Sequence, residues 1–195
     1  MIKENFCFSI FLTRLQSVQI FPLDFRLQMY ETKSNCKLIL TFFLIKMNLI
    51  KKEMLLLNYS INKELAESVG RILKGVEVTN IDLNNYELPL FSVDLERDQG
   101  FSKDLQKLNK EIENTDGIVL SLAEHNGAYA AAFKNAFDWL SRIDGKVWRN
   151  KPMLLLSTSN GARGGQSVMD IALSRFPYNG GNIIGSMTFP SFNQN

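Results

Sequence analysis

Two stretches of the chain carry residue types and spacings that could handle a ligand: Glu124-His125-Asn126-Gly127 and Ser159-Asn160-Gly161-Ala162-Arg163-Gly164-Gly165. A glycine-rich turn lets backbone N–H groups approach a flat polar ligand closely, because no Cβ intervenes. Glu124 and His125 are by type an acid and a base. His125 is the only histidine, however, and no Ser/His/Asp set or metal-ligand spacing accompanies it. A lone histidine is more often a local hydrogen-bonding residue than a catalyst, so His125 is read as a wall residue, with no side chain assigned as catalytic and none as a metal ligand. Arg163 could face an anion or solvent. Taken alone, Gly161 to Gly165 also describes a plain strand-to-helix turn that needs positive φ.

Both stretches need elements to hold them. Ile118, Val119, Leu120 and Leu122 form an apolar run behind an Asp116-Gly117 turn, which predicts a strand covered on both faces of a parallel sheet and ending at Ala123. Apolar residues at 129, 133, 136, 137 and 140 then predict a helix over 128–142, with Asp138 and Arg142 as an i, i+4 pair. Trp139 and Trp148 are read as core or subunit contact. Lys151-Pro152 opens a strand over 153–157, with proline at the tolerated first position. A helix follows over 166–175, and then a strand over 182–189. The first stretch therefore lies outside the carboxyl end of one strand and the second outside the end of the next, where open α/β sheets place their ligands.

Upstream, Ser60 is a candidate N-cap for a helix over 60–75, followed by a strand over 76–83, a loop over 84–100 and a polar helix over 102–113. Strict alternation of strand and helix predicts parallel strands joined by crossovers of one hand. The natural fit is an α/β fold, a flavodoxin-like three-layer sandwich with strand order 2-1-3-4-5. Its first strand would have to come from about residues 47–57, where Lys51, Lys52 and Glu53 suit a central buried position poorly.

Composition narrows the function classes. With 195 residues and 45% hydrophobic content the chain can hold one cored domain, and disorder is excluded as its dominant state. No basic stripe points to nucleic acid. Cys7 and Cys36 are the only cysteines, which predicts a reducing, cytoplasmic setting. Phe6 to Leu12 lacks a cleavage site and Leu38 to Ile45 falls far short of the ~20 residues a membrane helix needs, so neither a targeting nor a membrane segment is expected. Residues 1–65 contain no glycine and no alanine, and half of the 14 Phe lie in the first 43 residues. These features lead to the expectation that residues 1–46 are an aberrant, out-of-frame or disordered N-terminal extension, with Met47 a candidate start; the alternative is a real hydrophobic extension or partner-binding arm.

The stretch AEHNGAYAAAFKNAFDWLSR resembles the signature of the NADPH-dependent FMN reductase family, P-E-Y-N-G-S-x-x-x-x-x-K-N-x-x-D-W, and STSNGARGG is similar to that family's later glycine loop. The resemblance covers roughly Ser60 to Asn195. It implies that residues 47–195 form a flavodoxin-like FMN-binding domain, assembled as a homodimer or homotetramer. Such a domain takes hydride from NADPH or NADH and passes it to a small-molecule electron acceptor: free flavin, a quinone or an azo compound. Carried over, Glu124, His125, Asn126 and Gly127 line the isoalloxazine ring, and Ser159, Gly161, Arg163, Gly164 and Gly165 close its other edge. Helix 128–142, with Phe137 and Trp139, would make a dimer contact.

The chain departs from the family pattern at several points. Ala123 stands where the family has Pro, and His125 where it has Tyr. Of the phosphate run G-S-x-R-x-x-S-x-N only Ser60 and Asn62 survive, with Met54, Leu55 and Leu57 at the Gly, Ser and Arg positions. Ser60, Asn62 and the N-terminus of their helix are left to hold a phosphate. The sequence also stops before the family's usual last helix. The rival expectation is a non-enzymatic flavodoxin-like module, or an inactive fragment lacking the phosphate-binding loop.

Overall fold

The computed structural model describes residues 53–58, 61–73 and 75–192. The expected N-terminal extension, the candidate start at Met47 and the cap and phosphate roles of Ser60 lie outside the described residues.

A parallel sheet forms the middle layer, built from β1 (Glu53–Asn58), β2 (Glu77–Asp82), β3 (Gly117–His125), β5 (Pro152–Thr158) and β6 (Asn182–Phe189) in the order β2-β1-β3-β5-β6. A two-residue β4 (Ala128–Tyr129) pairs antiparallel with the end of β3, off this path. With β4 set aside, the order is the expected 2-1-3-4-5. Of the expected first strand over about 47–57, the described part is Glu53–Asn58, which pairs with β2 from Glu53 and with β3 from Met54; residues 47–52 lie outside the described residues.

The alternation of side chains along the strands sorts the core into two halves. From β3 and β5, Ile118, Leu120, Leu122, Met153 and Leu155 face α3 (Lys103–Asn114), α4 (Ala131–Ile143) and α5 (Gln166–Arg175). Val119, Leu154 and Leu156 face Ala66, Val69 and Leu73 at α1 (Ile61–Ile72) and just beyond it. Every residue of β5 is buried, as expected for a strand covered on both faces. Strand order reverses at β1, so its carboxyl end and that of β3 flank the topological switch point.

Two local expectations change. A short helix, α2 (Val93–Gln99), occupies part of the expected 84–100 loop. Ser92 Oγ accepts from Leu95 N at 3.0 Å and Asp94 sits in the first turn, which suffices to start a helix. None of its residues is buried, so it carries no apolar stripe for periodicity to detect. Asp138 pairs with Lys134, at 2.6 Å, instead of with Arg142, which reaches Glu96 at 2.8 Å.

Trp139 and Trp148 are both core residues. Trp139 Nε1 donates to Pro89 O at 2.7 Å and its ring meets Phe91 edge-on at 5.0 Å. Asn135 donates to the carbonyls of Leu88 and Pro89 and accepts from Phe91 N. The K-N-x-x-D-W portion of the motif thus pins the 88–91 segment to α4, and Phe137 and Trp139 are spent inside the subunit. Trp139→Phe keeps most of the apolar burial but removes the indole donor, and should cost about 1–2 kcal/mol in a denaturant titration.

Candidate functional site

The site is built on the carboxyl edge of β3 and β5. Their register runs from Ile118 opposite Met153 to Ala123 opposite Thr158, which brings the two candidate stretches to the same edge as neighbours.

The first stretch is a hairpin. β3 continues past Ala123 to His125 and returns as β4, with Glu124 opposite Tyr129 and His125 opposite Ala128. Asn126 and Gly127, at φ 53° and 76°, occupy the two-residue turn, the pattern of a type I′ connection that Asn-Gly favours. The strand therefore does not stop at Ala123 as expected, and the helix begins at Ala131, with Ala130 N donating to Ala123 O at 3.2 Å. The hairpin lifts His125, Asn126 and Gly127 into the open, and nothing lies within 4 Å of where a Cβ on Gly127 would stand. Tyr129 is turned inward against Phe133 and Phe176. Burial pushes its phenol up to about 12, only partly opposed by Arg175, so it stays protonated at neutral pH and takes no part as a base.

The second stretch divides into an exposed rim and a buried root. Asn160 to Arg163 are exposed, and Arg163 makes no ion pair among the described residues. Gly164 and Gly165 are buried in left-handed conformations, at φ 56° and 81°. Ser157 Oγ donates to Gly164 O at 3.0 Å. The segment after β6 closes over the loop from the other side, with Ser191 N donating to Gly161 O and Phe192 N to Ser159 O, both at 3.1 Å. Gly164 and Gly165 hence shape the loop, while exposed Gly161 and Arg163, with half-buried Ser159, form its accessible part.

A direct bond joins the two stretches: Glu124 Oε2 accepts from Val168 N, in the first turn of α5, at 3.0 Å. Behind them lies a buried polar junction that sequence reasoning missed in part. Asn62 Oδ1 accepts from Ser121 Oγ at 2.9 Å and from Thr158 N at 3.1 Å, tying the start of α1 to β3 and β5. Thr158 Oγ1 in turn donates to Phe189 O at 2.7 Å. The legible signal was a hydroxyl inside strands otherwise buried on both faces, Ser121 in IVLSLA and Ser157-Thr158 in LLLST.

An FMN group fits this edge unevenly. The ring end has two adjoining loops with an open rim. At the phosphate end, Met54, Leu55 and Leu57 lie within the central strand β1, and two residues separate it from α1. Asn62 spends its carbonyl oxygen internally. Lys63 pairs with Asp82 at 3.1 Å, and burial would raise the Asp82 carboxyl but donors from Asn84 and Lys63 hold it below its ordinary value. Among the described residues, no helix is long and apolar enough to cross a membrane.

A sequence model described as NADPH-dependent FMN reductase matches residues 57–194. The chain is 31% identical over 101 residues to a quinone reductase of Escherichia coli (strain K12), covering 50% of this chain and 54% of that protein. It is 34% identical over 93 residues to an NADPH:quinone oxidoreductase of Arabidopsis thaliana, covering 48% and 46%. The chain spans about half the length of the curated relatives it matches. Among solved structures, a flavoenzyme NAD(P)H:(acceptor) oxidoreductase from Paracoccus denitrificans superposes with a TM-score of 0.59 at 23% identity, over 69% of this chain and 75% of that one. An azoreductase from Bacillus anthracis str. Sterne does so with a TM-score of 0.57 at 18% identity, over 74% and 89%. At such identities the likeness shows the fold.

Proposed function

Because this chain belongs to the NADPH-dependent FMN reductase family, we propose that its two carboxyl-edge loops hold FMN and that it is an oxidoreductase carrying hydride from NADPH or NADH to a small-molecule acceptor, whether free flavin, a quinone or an azo compound. The observation that supports this most directly is the junction of the loops, with Glu124 of one bonded to the first turn of the helix that follows the other. Bound FMN would supply the redox chemistry at its ring.

The chain's own residues supply position. His125, Asn126 and Gly127 present one wall, and Ser159, Gly161 and Arg163 the other, with backbone groups free of Cβ at the glycines. Gly164 and Gly165 keep the second wall in place. Ser60, Asn62 and the N-terminus of α1 remain as phosphate holders, with Asn62 limited to its amide side. We read the working form as a cytoplasmic homodimer or homotetramer. Exposed Leu90 and Val93 offer apolar surface for a second copy, in place of the buried Phe137 and Trp139; a monomer in light scattering would overturn that assembly.

Purified protein reconstituted with FMN is expected to turn yellow and to bleach when NADPH is added without oxygen, the colour returning with a quinone. A protein that stays colourless after reconstitution sinks the proposal. It would favour the second reading, a flavodoxin-like module without redox activity, whose support is the central-strand placement of the positions where the family carries its phosphate loop.

A further inference from the structure

We infer that Glu124 is a positioning residue that locks the β3–β4 hairpin to the N-terminus of α5 and so sets the width of the slot between the two loops, instead of lining the flavin ring. The inference deepens the proposed function and rests on it for the ligand.

Helix α5 begins without a cap of its own. Gly165 stands at the N-cap position in a left-handed conformation, has no side chain to accept a hydrogen bond, and leaves no room for one, since a Cβ there would meet Ser157 Cβ at 2.9 Å. The first-turn N–H groups of a helix need acceptors, and a carboxylate is the favoured one because it also meets the positive end of the helix dipole. Glu124 supplies it from 44 residues earlier in the chain, with Oε2 accepting from Val168 N at 3.0 Å. A bond with a charged acceptor is about twice as strong as a neutral one.

The placement of this bond matters more than its strength. The β3–β5 ladder ends at Ala123 and Thr158, and beyond it the hairpin's ladder is with itself. Glu124 is the first residue past that ladder, so its carboxylate carries the connection between the walls into the region where the sheet no longer does. Half-buried Glu124 is thereby committed to the protein, while the next three residues, His125, Asn126 and Gly127, stay exposed and available to a ligand.

The test uses the full chain with and without FMN. Glu124→Ala should speed hydrogen exchange of the Val168 amide in the ligand-free protein and weaken FMN binding, each by about five- to tenfold, as the loss of one helix cap implies. Glu124→Gln keeps an oxygen acceptor of the same reach and should restore both to within about threefold of wild type. Unchanged Val168 exchange in Glu124→Ala overturns the inference, as does a Glu124→Ala protein that exchanges faster but binds FMN as wild type does. Failure of Glu124→Gln to restore binding while restoring protection also overturns it, since Glu124 would then act on the ligand itself. A wild-type protein that takes up no FMN overturns the functional reading and the slot-setting role with it, whereas each of the other outcomes arises in a wild type that binds.

Discussion

Gly164→Ala is expected to lower the melting temperature by about 5–15 °C and to weaken FMN binding at least about tenfold, while Gly161→Ala, at the other end of the same turn, changes stability by no more than about 0.5 kcal/mol. A Cβ on Gly164 would stand 2.6 Å from Phe189 C and from Pro190 N, and 2.9 Å from Phe189 O. These are backbone atoms, and they are not free to retreat. Phe189 O is held by Thr158 Oγ1, and the residues just beyond it are bonded to Gly161 and Ser159. The left-handed φ of 56° adds about 1–2 kcal/mol for any residue with a Cβ, and the overpacking about 1–3 kcal/mol. Relief requires the glycine loop or the post-β6 segment to move, and either motion displaces one wall of the slot. Gly161 has Ser159 Oγ at 3.7 Å as the nearest atom to a built Cβ, which is ordinary contact. Thermal melts followed by circular dichroism, with FMN titrations on the same samples, check both variants; a Gly164→Ala protein that melts with wild type would show that the close approach to Phe189 is not maintained in solution.

The parts of this architecture that the sequence made legible are those where burial is two-sided and local. β3 and β5 stood out because apolar residues fill both faces, and α4 because its stripe faces a single core. Strict alternation implied parallel strands, and their order followed from taking the flavodoxin-like arrangement as its natural fit. Where several partners satisfy one local rule, the outcome depended on tertiary placement. Asp138 has a cation four residues away on either side, and Lys134 takes it because α2 delivers Glu96 to Arg142. The hairpin was hidden by its brevity: two pairs flanking Asn-Gly give no period-2 signal, and the alanines after it read as helix.

The candidate site followed the same division. Both loops could be placed at one edge from the sequence, since consecutive parallel strands must bring their carboxyl ends together. The division of labour within them could not. Gly164 and Gly161 look alike in SNGARGG, and what separates them is the segment after β6, which arrives only in the folded chain. Glu124 and His125 are adjacent, yet one side chain turns to a helix 44 residues ahead and the other is exposed. Asn62 reads as a surviving phosphate ligand, and in the fold its carbonyl oxygen is taken up by β3 and β5, which leaves only its amide for that role.

Asn62 therefore carries the other large effect. Replacing it with alanine should cost about 2–5 kcal/mol, because two buried donors, Ser121 Oγ and Thr158 N, lose their acceptor at once and each orphaned group costs about 1–3 kcal/mol. The loss differs in kind from a cavity at an apolar position, and a double-mutant cycle separates the two. Ser121→Ala alone removes a single donor and leaves Asn62 Oδ1 still bonded to Thr158 N, so it should cost about 1 kcal/mol. Adding Ser121→Ala to Asn62→Ala removes one of the two orphans, so the double variant should be no less stable than Asn62→Ala, with a coupling of about 1 kcal/mol or more between the sites. Additive costs in denaturant titrations would mean that Asn62 acts through packing alone. A functional effect follows from the position of the junction, which ties α1, β3 and β5 at the switch point. Asn62→Ala should weaken binding of FMN and of riboflavin by a similar factor if Asn62 sets the geometry of the edge, whereas a loss confined to FMN would mean that its amide reaches the phosphate.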